Sequence, residues 1–80
     1  MAYALRTFKG TLVRFFRERG YGYVKVDHMP RDAHLHLRDC EFGAHEIRVG
    51  SRLEFYLADG PKGLDAIRVS ICDEQERPSP

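Results

Sequence analysis

The stretch Tyr21-Gly22-Tyr23-Val24-Lys25-Val26 decides the architecture. Gly22, Val24 and Val26 share one parity, and Tyr21, Tyr23 and Lys25 take the other. Successive side chains of an extended strand point to opposite faces, so one face here is small and aliphatic and the other carries two phenols and an ammonium. The aliphatic face is the one to bury, which leaves both tyrosines turned toward water. A chain of 80 residues buries only about 60% of its unfolded surface, so aromatic rings spent outside the core need a reason.

Outward from this strand, alternation recurs and helical periodicity does not. Residues 33–37 put Ala33, Leu35 and Leu37 on one side and His34 and His36 on the other. In residues 51–58, Leu53, Phe55 and Leu57 alternate with Arg52, Glu54 and Tyr56. In residues 64–71, Ile67, Val69 and Ile71 alternate with Ala66, Arg68 and Ser70. Asp59-Gly60-Pro61-Lys62-Gly63 between the last two runs is dense in turn formers, which predicts a hairpin. Residues 9–17, with Thr11, Val13, Phe15 and Phe16, read as a first strand that turns at 17–20. Residues 27–31, with Pro30, form a loop, and residues 38–50 form a longer connection with room for one short helical turn.

Five short strands without a convincing helix leave unpaired edges unless the sheet closes. The expected fold is therefore all-β, a five-stranded antiparallel OB-fold barrel. Its expected core is Leu12, Gly22, Val24, Val26, Ala33, Leu35, Leu53, Phe55, Leu57, Ile67 and Val69, with Ile47 plugging an end.

Composition narrows the function classes. At 42% hydrophobic and 31% charged residues the chain lies near ordinary globular usage, which excludes a disordered or collagenous polypeptide. No apolar run approaches the length of a membrane span and residues 1–9 hold no secretory apolar segment, so a cytoplasmic protein with no membrane partner is expected. Cys40 and Cys72 are too few for a disulfide scaffold and read as free thiols. The expected layout is an N-terminal extension over 1–8, one domain over 9–71 and a polar tail over 72–80.

Charge is unevenly spread. Up to Lys25 the chain has six basic residues, Arg6, Lys9, Arg14, Arg17, Arg19 and Lys25, against the single acid Glu18, while the remainder is net acidic. Positive potential therefore gathers beside the outward tyrosines, as a polyanionic partner requires. Tyr21, Tyr23, His34 and His36 would share one surface with Lys25 and the basic first strand. Flat rings stack on nucleobases while Arg and Lys meet phosphates, a combination suited to single strands, whose base faces are free.

Four blocks then carry a resemblance. Arg19-Gly20-Tyr21-Gly22-Tyr23-Val24 resembles the first ribonucleoprotein motif of the cold-shock domain family, and Asp32-Ala33-His34-Leu35-His36 resembles its second. Ile47-Arg48-Val49-Gly50-Ser51-Arg52-Leu53-Glu54-Phe55 is similar to the family's entry into the fourth strand, and Gly60-Pro61-Lys62-Gly63-Leu64-Asp65-Ala66 to its last turn. Together with Gly10 and Phe15 these span residues 9–71 in the family's order. RNA-recognition-motif proteins carry a similar glycine-aromatic motif on a third strand, and the first 19 residues here leave no room for the preceding elements.

The resemblance implies an OB-fold barrel that binds single-stranded RNA or DNA. It implies stacking roles for Phe15, Tyr21, Tyr23 and His36, and polar contacts from Arg19, Asp32 and Lys62. Arg14 stands at the family's usual tryptophan position, Val13 at its lysine, Phe16 at its asparagine, and His34 and Leu37 at phenylalanines. Arg14 can stack through its guanidinium plane and adds charge, so binding weaker and more electrostatic than the family's is expected, with Lys25 and His34 completing the site. A monomer or weak homodimer acting as a nucleic-acid chaperone or regulator of transcription or translation, without a cofactor, is the expected form.

Other chemistries are less well provided for. His34, His36, Cys40 and His45 invite zinc, but their spacing matches no common zinc motif. His36 with Asp32 or Asp39 could be drawn as an acid–base pair, yet no nucleophile motif, phosphate loop or paired carboxylates accompany it, so no enzyme is expected. An apolar patch of Phe15, Phe16, Tyr21 and Phe42 would instead suit a protein partner or a second copy.

Overall fold

Pairing of the alternating segments produces a ring. The computed structural model describes residues 6–72, in which five strands form: β1 (Phe8–Phe16), β2 (Tyr21–Val26), β3 (Asp32–His36), β4 (Arg52–Gly60) and β5 (Gly63–Ile71). They close in the order β1-β2-β3-β5-β4. Four of the five seams are antiparallel, and β3 meets β5 in parallel, with His34 opposite Asp65 and Leu35 opposite Ala66. An odd number of strands cannot alternate direction all the way around a closed ring, so the expected antiparallel barrel must contain one such seam. Residues 1–5 of the expected extension and 73–80 of the expected tail lie outside the described residues.

The connections follow the turn chemistry. The amides of Arg19 and Gly20 both donate to the Phe16 carbonyl at 2.9 Å, and Gly20 adopts φ 72°, a left-handed conformation that disfavours a side chain. At the β4–β5 hairpin Gly60 faces Gly63, which leaves Pro61 and Lys62 at the tip. The connection from β3 to β4 holds two 3-10 turns, Leu37–Asp39 and Ala44–Glu46, where one was expected.

The core is built from the inward parities of all five strands. Leu12, Val24, Val26, Ala33, Leu35, Leu53, Phe55, Leu57 and Val69 are fully shielded, Gly22 is buried, and Ile47 closes an end at 3% exposure. Each large aliphatic or aromatic member contributes about 1.5–3 kcal/mol by leaving water. One expectation fails on β5: Ile67 is only half-buried, while Leu64 and Ala66 join the core. The register runs Glu54 to Ser70 and then Tyr56 to Ile67, so β5 holds one extra residue there, and Arg68 takes φ 52°. This bulge switches the buried parity from even-numbered residues to Val69.

Candidate functional site

A second bulge builds the outer face of β1. Leu12 pairs with Val24 and Arg14 with Tyr23, so Val13 is the extra residue and stands out at 38% exposure. Beyond it the parity of the strand is reversed. Phe15 lies opposite Gly22 and packs against the core, whereas Arg14 and Phe16 lie opposite the outward Tyr23 and Tyr21. A side chain at Gly22 would collide with the Arg14 carbonyl oxygen and with Phe15, so only glycine lets this ring cross β2.

The outward residues therefore form rows across the strands. Arg14, Tyr23, His34 and Asp65 follow one another across β1, β2, β3 and β5. Phe16, Tyr21 and His36 form the next row, and Thr11, Lys25 and Asp32 the row on the other side. The rings touch between rows. Phe16 lies 5.1 Å from Tyr21 and 6.4 Å from Tyr23, centroid to centroid. Tyr21 and Tyr23 meet edge to face at 6.2 Å. His34 stacks on Tyr21 at 5.5 Å with 19° between planes and meets Tyr23 edge-on at 5.2 Å. The Arg14 guanidinium lies 5.2 Å from the Phe16 ring centre. Aromatic pairs in such geometries contribute about 0.5–1.5 kcal/mol each beyond area burial, enough to hold the rings as a preformed surface.

The other expected site residues frame this surface. Arg19 is exposed in the β1–β2 turn. Lys25 is exposed opposite Asp32, and its ammonium donates to the Met29 carbonyl at 3.0 Å. His36 lies opposite Tyr21, and its Nδ1 accepts from the Arg38 amide at 3.3 Å, which fixes the ring beside the 3-10 turn. Lys62, at the hairpin tip, shares a shallow pocket with Tyr23, Asp32, His34 and Arg31. His34 Nδ1 stands 4.0 Å from Asp65 Oδ1, placing an acceptor at the edge of the ring surface.

Phe15 is the expected site residue that the structure sets apart. It is half-buried on the inner side of β1, with the Arg17 guanidinium 5.3 Å from its ring centre. Phe16 takes the outward position instead. The sequence placed Phe16 only in an apolar patch and did not single out Arg31; the structure brings Phe16 against Tyr21 and Tyr23 because the bulge at Val13 inverts the alternation, and Arg31 to the pocket of Lys62 from an irregular segment. Of the apolar patch expected from Phe15, Phe16, Tyr21 and Phe42, Phe16 and Tyr21 touch on the outer face, while Phe15 and Phe42 are partly buried against the core.

The possible zinc ligands do not converge. Among the described residues no group of three or more His, Cys, Asp or Glu could hold a metal ion. Burial, helped by the Asp39 carboxylate, pushes the Cys40 thiol up to about 11, and its Sγ donates to the His36 carbonyl at 3.4 Å. A thiol held protonated is a poor metal ligand and a poor nucleophile. His45 faces Glu46 at 3.8 Å, away from the ring surface on the second 3-10 turn.

A bidentate ion pair braces the barrel beside the site. Arg52 on β4 donates to both Asp27 oxygens, at 2.9 and 2.6 Å, and to the Thr11 hydroxyl at 3.0 Å. The Arg52 hydrogen bonds hold the Asp27 carboxyl below the usual carboxylate range, against an opposing effect of burial. The clamp ties the end of β2 to β4 across the outer side of β1.

No protein-family model matches the chain. It is 36% identical over 62 residues to the major cold shock protein of Micrococcus luteus, covering 76% of this chain and 92% of that protein. It is 28% identical over 69 residues to a cold shock-like protein of Aquifex aeolicus, covering 85% of this chain and 99% of the relative. Among solved structures, drosophila Unr CSD456 superposes with a TM-score of 0.72 at 19% identity, over 86% of this chain and 28% of that one, a likeness of fold. No helix among the described residues is long and apolar enough to cross a membrane.

Proposed function

The chain belongs to the cold-shock protein family, and from that premise we propose that it binds single-stranded RNA or DNA on the outer face of β1, β2 and β3. Bases stack on Phe16, Tyr21, Tyr23, His34 and His36. Arg14, Arg19, Lys25 and Lys62 meet phosphates, and Asp32, an acceptor only, meets the exocyclic amines of base edges. The observation that carries this reading is the gathering of four touching rings on one outer face, with Arg14 in the row of Tyr23 and His34 and Lys25 in the row beside it.

The surface acts without chemistry. Stacking traps unpaired segments and opposes their secondary structure, a chaperone activity that draws only on binding energy and is exerted in the cytoplasm by a monomer or weak homodimer. A duplex hides its base faces and binds poorly. Because the rings already support one another, little conformational entropy is lost when a strand arrives.

The test is titration of a fluorescent single-stranded oligonucleotide with the wild-type protein and with Tyr21→Ala/Tyr23→Ala. Each stacking surface is worth about 1–3 kcal/mol, so the double variant should bind at least about 30-fold more weakly. Unchanged affinity defeats the proposal.

A further inference from the structure

The basic residues are not confined to the ring surface. Phe16, at the edge of that surface, shares a concavity with Arg17, Glu18 and Arg19. Arg17 in turn lines a second groove with His45, Ile47, Arg48, Arg52 and Ile71. Arg17 is thus common to the hollow beside Phe16 and to the groove along the second 3-10 turn and the start of β4. The groove encloses about 660 Å³, inside the roughly 300–1,000 Å³ range of ligand sites and too large for a single ion.

Arg17 is held in position while keeping its charge. It donates to the Ala44 carbonyl at 2.6 Å and lies over the Phe15 ring, two neutral partners that fix its direction. Among the described residues no carboxylate pairs with Arg17 or Arg48. Arg52 is engaged by Asp27, and the groove's own acid, Glu46, lies beside His45. Two uncompensated guanidinium groups therefore face a half-open groove whose wall includes the apolar Ile71. That is the chemistry of a backbone-tracking site, with cations spaced along a trough and His45 as the single ring among its lining residues.

We propose that this groove takes the phosphate backbone of the same single strand after it leaves the rings at Phe16, so that the binding site continues beyond the ring surface onto the β3–β4 connection. The inference rests on the ring surface being the primary site, and the experiment separates the two. Affinity and its salt dependence are measured for a short and a longer single-stranded oligonucleotide, about 4 and about 9 nucleotides, within the usual site sizes of an OB fold. The proteins compared are wild type and Arg17→Gln/Arg48→Gln. Glutamine removes the charge at both positions and, at position 17, the guanidinium over Phe15 as well, so urea unfolding of the variant is measured alongside to show that the fold is retained.

The wild-type protein should bind the longer strand at least about tenfold more tightly than the short one, with a steeper salt dependence. Each phosphate engaged adds about 0.7 to the slope of log affinity against log salt for a single strand, so the variant should lose about 1.4 on the longer strand. Its affinity for the short strand should be unchanged. Equal binding of the longer strand by both proteins overturns the groove and leaves the ring surface standing. A wild-type protein that binds neither strand overturns both. Unchanged oligonucleotide binding together with loss of affinity for poly-glutamate assigns the groove to an acidic protein segment and overturns the proposal.

Discussion

Phe15 and Phe16 are neighbours of identical chemistry, and the bulge at Val13 gives them opposite work. Phe15→Ala empties a half-buried position against the core and removes the ring beneath Arg17. A fully buried phenylalanine costs about 3–5 kcal/mol on truncation, and partial burial reduces this to about 2–3 kcal/mol. With a urea dependence of about 1 kcal/mol per molar for so small a domain, the unfolding midpoint should fall by roughly 2–3 M. Phe16→Ala removes two ring contacts and the ring under Arg14, worth together about 1–2 kcal/mol of stability. It also removes one stacking surface, about 1–3 kcal/mol of affinity, or roughly 5- to 150-fold. The assay is a pair of measurements on each variant, fluorescence anisotropy with a single-stranded oligonucleotide at fixed salt and urea unfolding. Phe16→Ala should lose mainly affinity and Phe15→Ala mainly stability. If Phe15→Ala weakens binding as much as Phe16→Ala does, or if Phe16→Ala binds like wild type, the inverted parity is not what orients the site.

Gly22→Ala should destabilise by about 1–3 kcal/mol through overpacking against the Arg14 carbonyl and Phe15, read as a lower urea midpoint; a neutral effect would mean that β1 can shift away from β2. Because Arg52 holds the Asp27 carboxyl below its unfolded value, their pair stabilises the fold at neutral pH and ceases to do so as the pH falls from about 4 through the lower folded value. Both side chains are partly exposed, so Asp27→Asn should cost less than about 1 kcal/mol at pH 7 and nothing near pH 2, checked by unfolding at the two pH values. With its thiol pushed up to about 11, Cys40 in a Cys72→Ala background should react with a disulfide reagent at pH 8 at least about tenfold more slowly than an unstructured cysteine.

Much of the site was legible before any tertiary contact was known. On β2 and β3 the pleat is regular, so parity alone assigned Val24, Val26, Ala33 and Leu35 to the interior and Tyr21, Tyr23, His34 and His36 to the outer side. Matching that parity across a closed sheet placed the rings together. On β1 the same reasoning made Phe15 an outward stacking ring and gave Phe16 a place only in an apolar patch, and on β5 it sent Ile67 inward in place of Ala66. Each error lies on the far side of one extra residue: beyond Val13 on β1, and before Arg68 on β5, where the parity that fits Val69 does not carry back to Ile67 and Ala66.

The alternation of small and large, apolar and charged residues thus determined a closed all-β chain and most of its aromatic face, because a regular strand assigns its faces residue by residue without reference to its neighbours. The positions of the two bulges, the parallel β3–β5 seam and the guanidinium of Arg17 poised over the β3–β4 connection were decided only in three dimensions. The reason is physical: an extra residue is absorbed where the partner strands demand it, and the local sequence of β1 or β5 is compatible with either parity until those partners are in place.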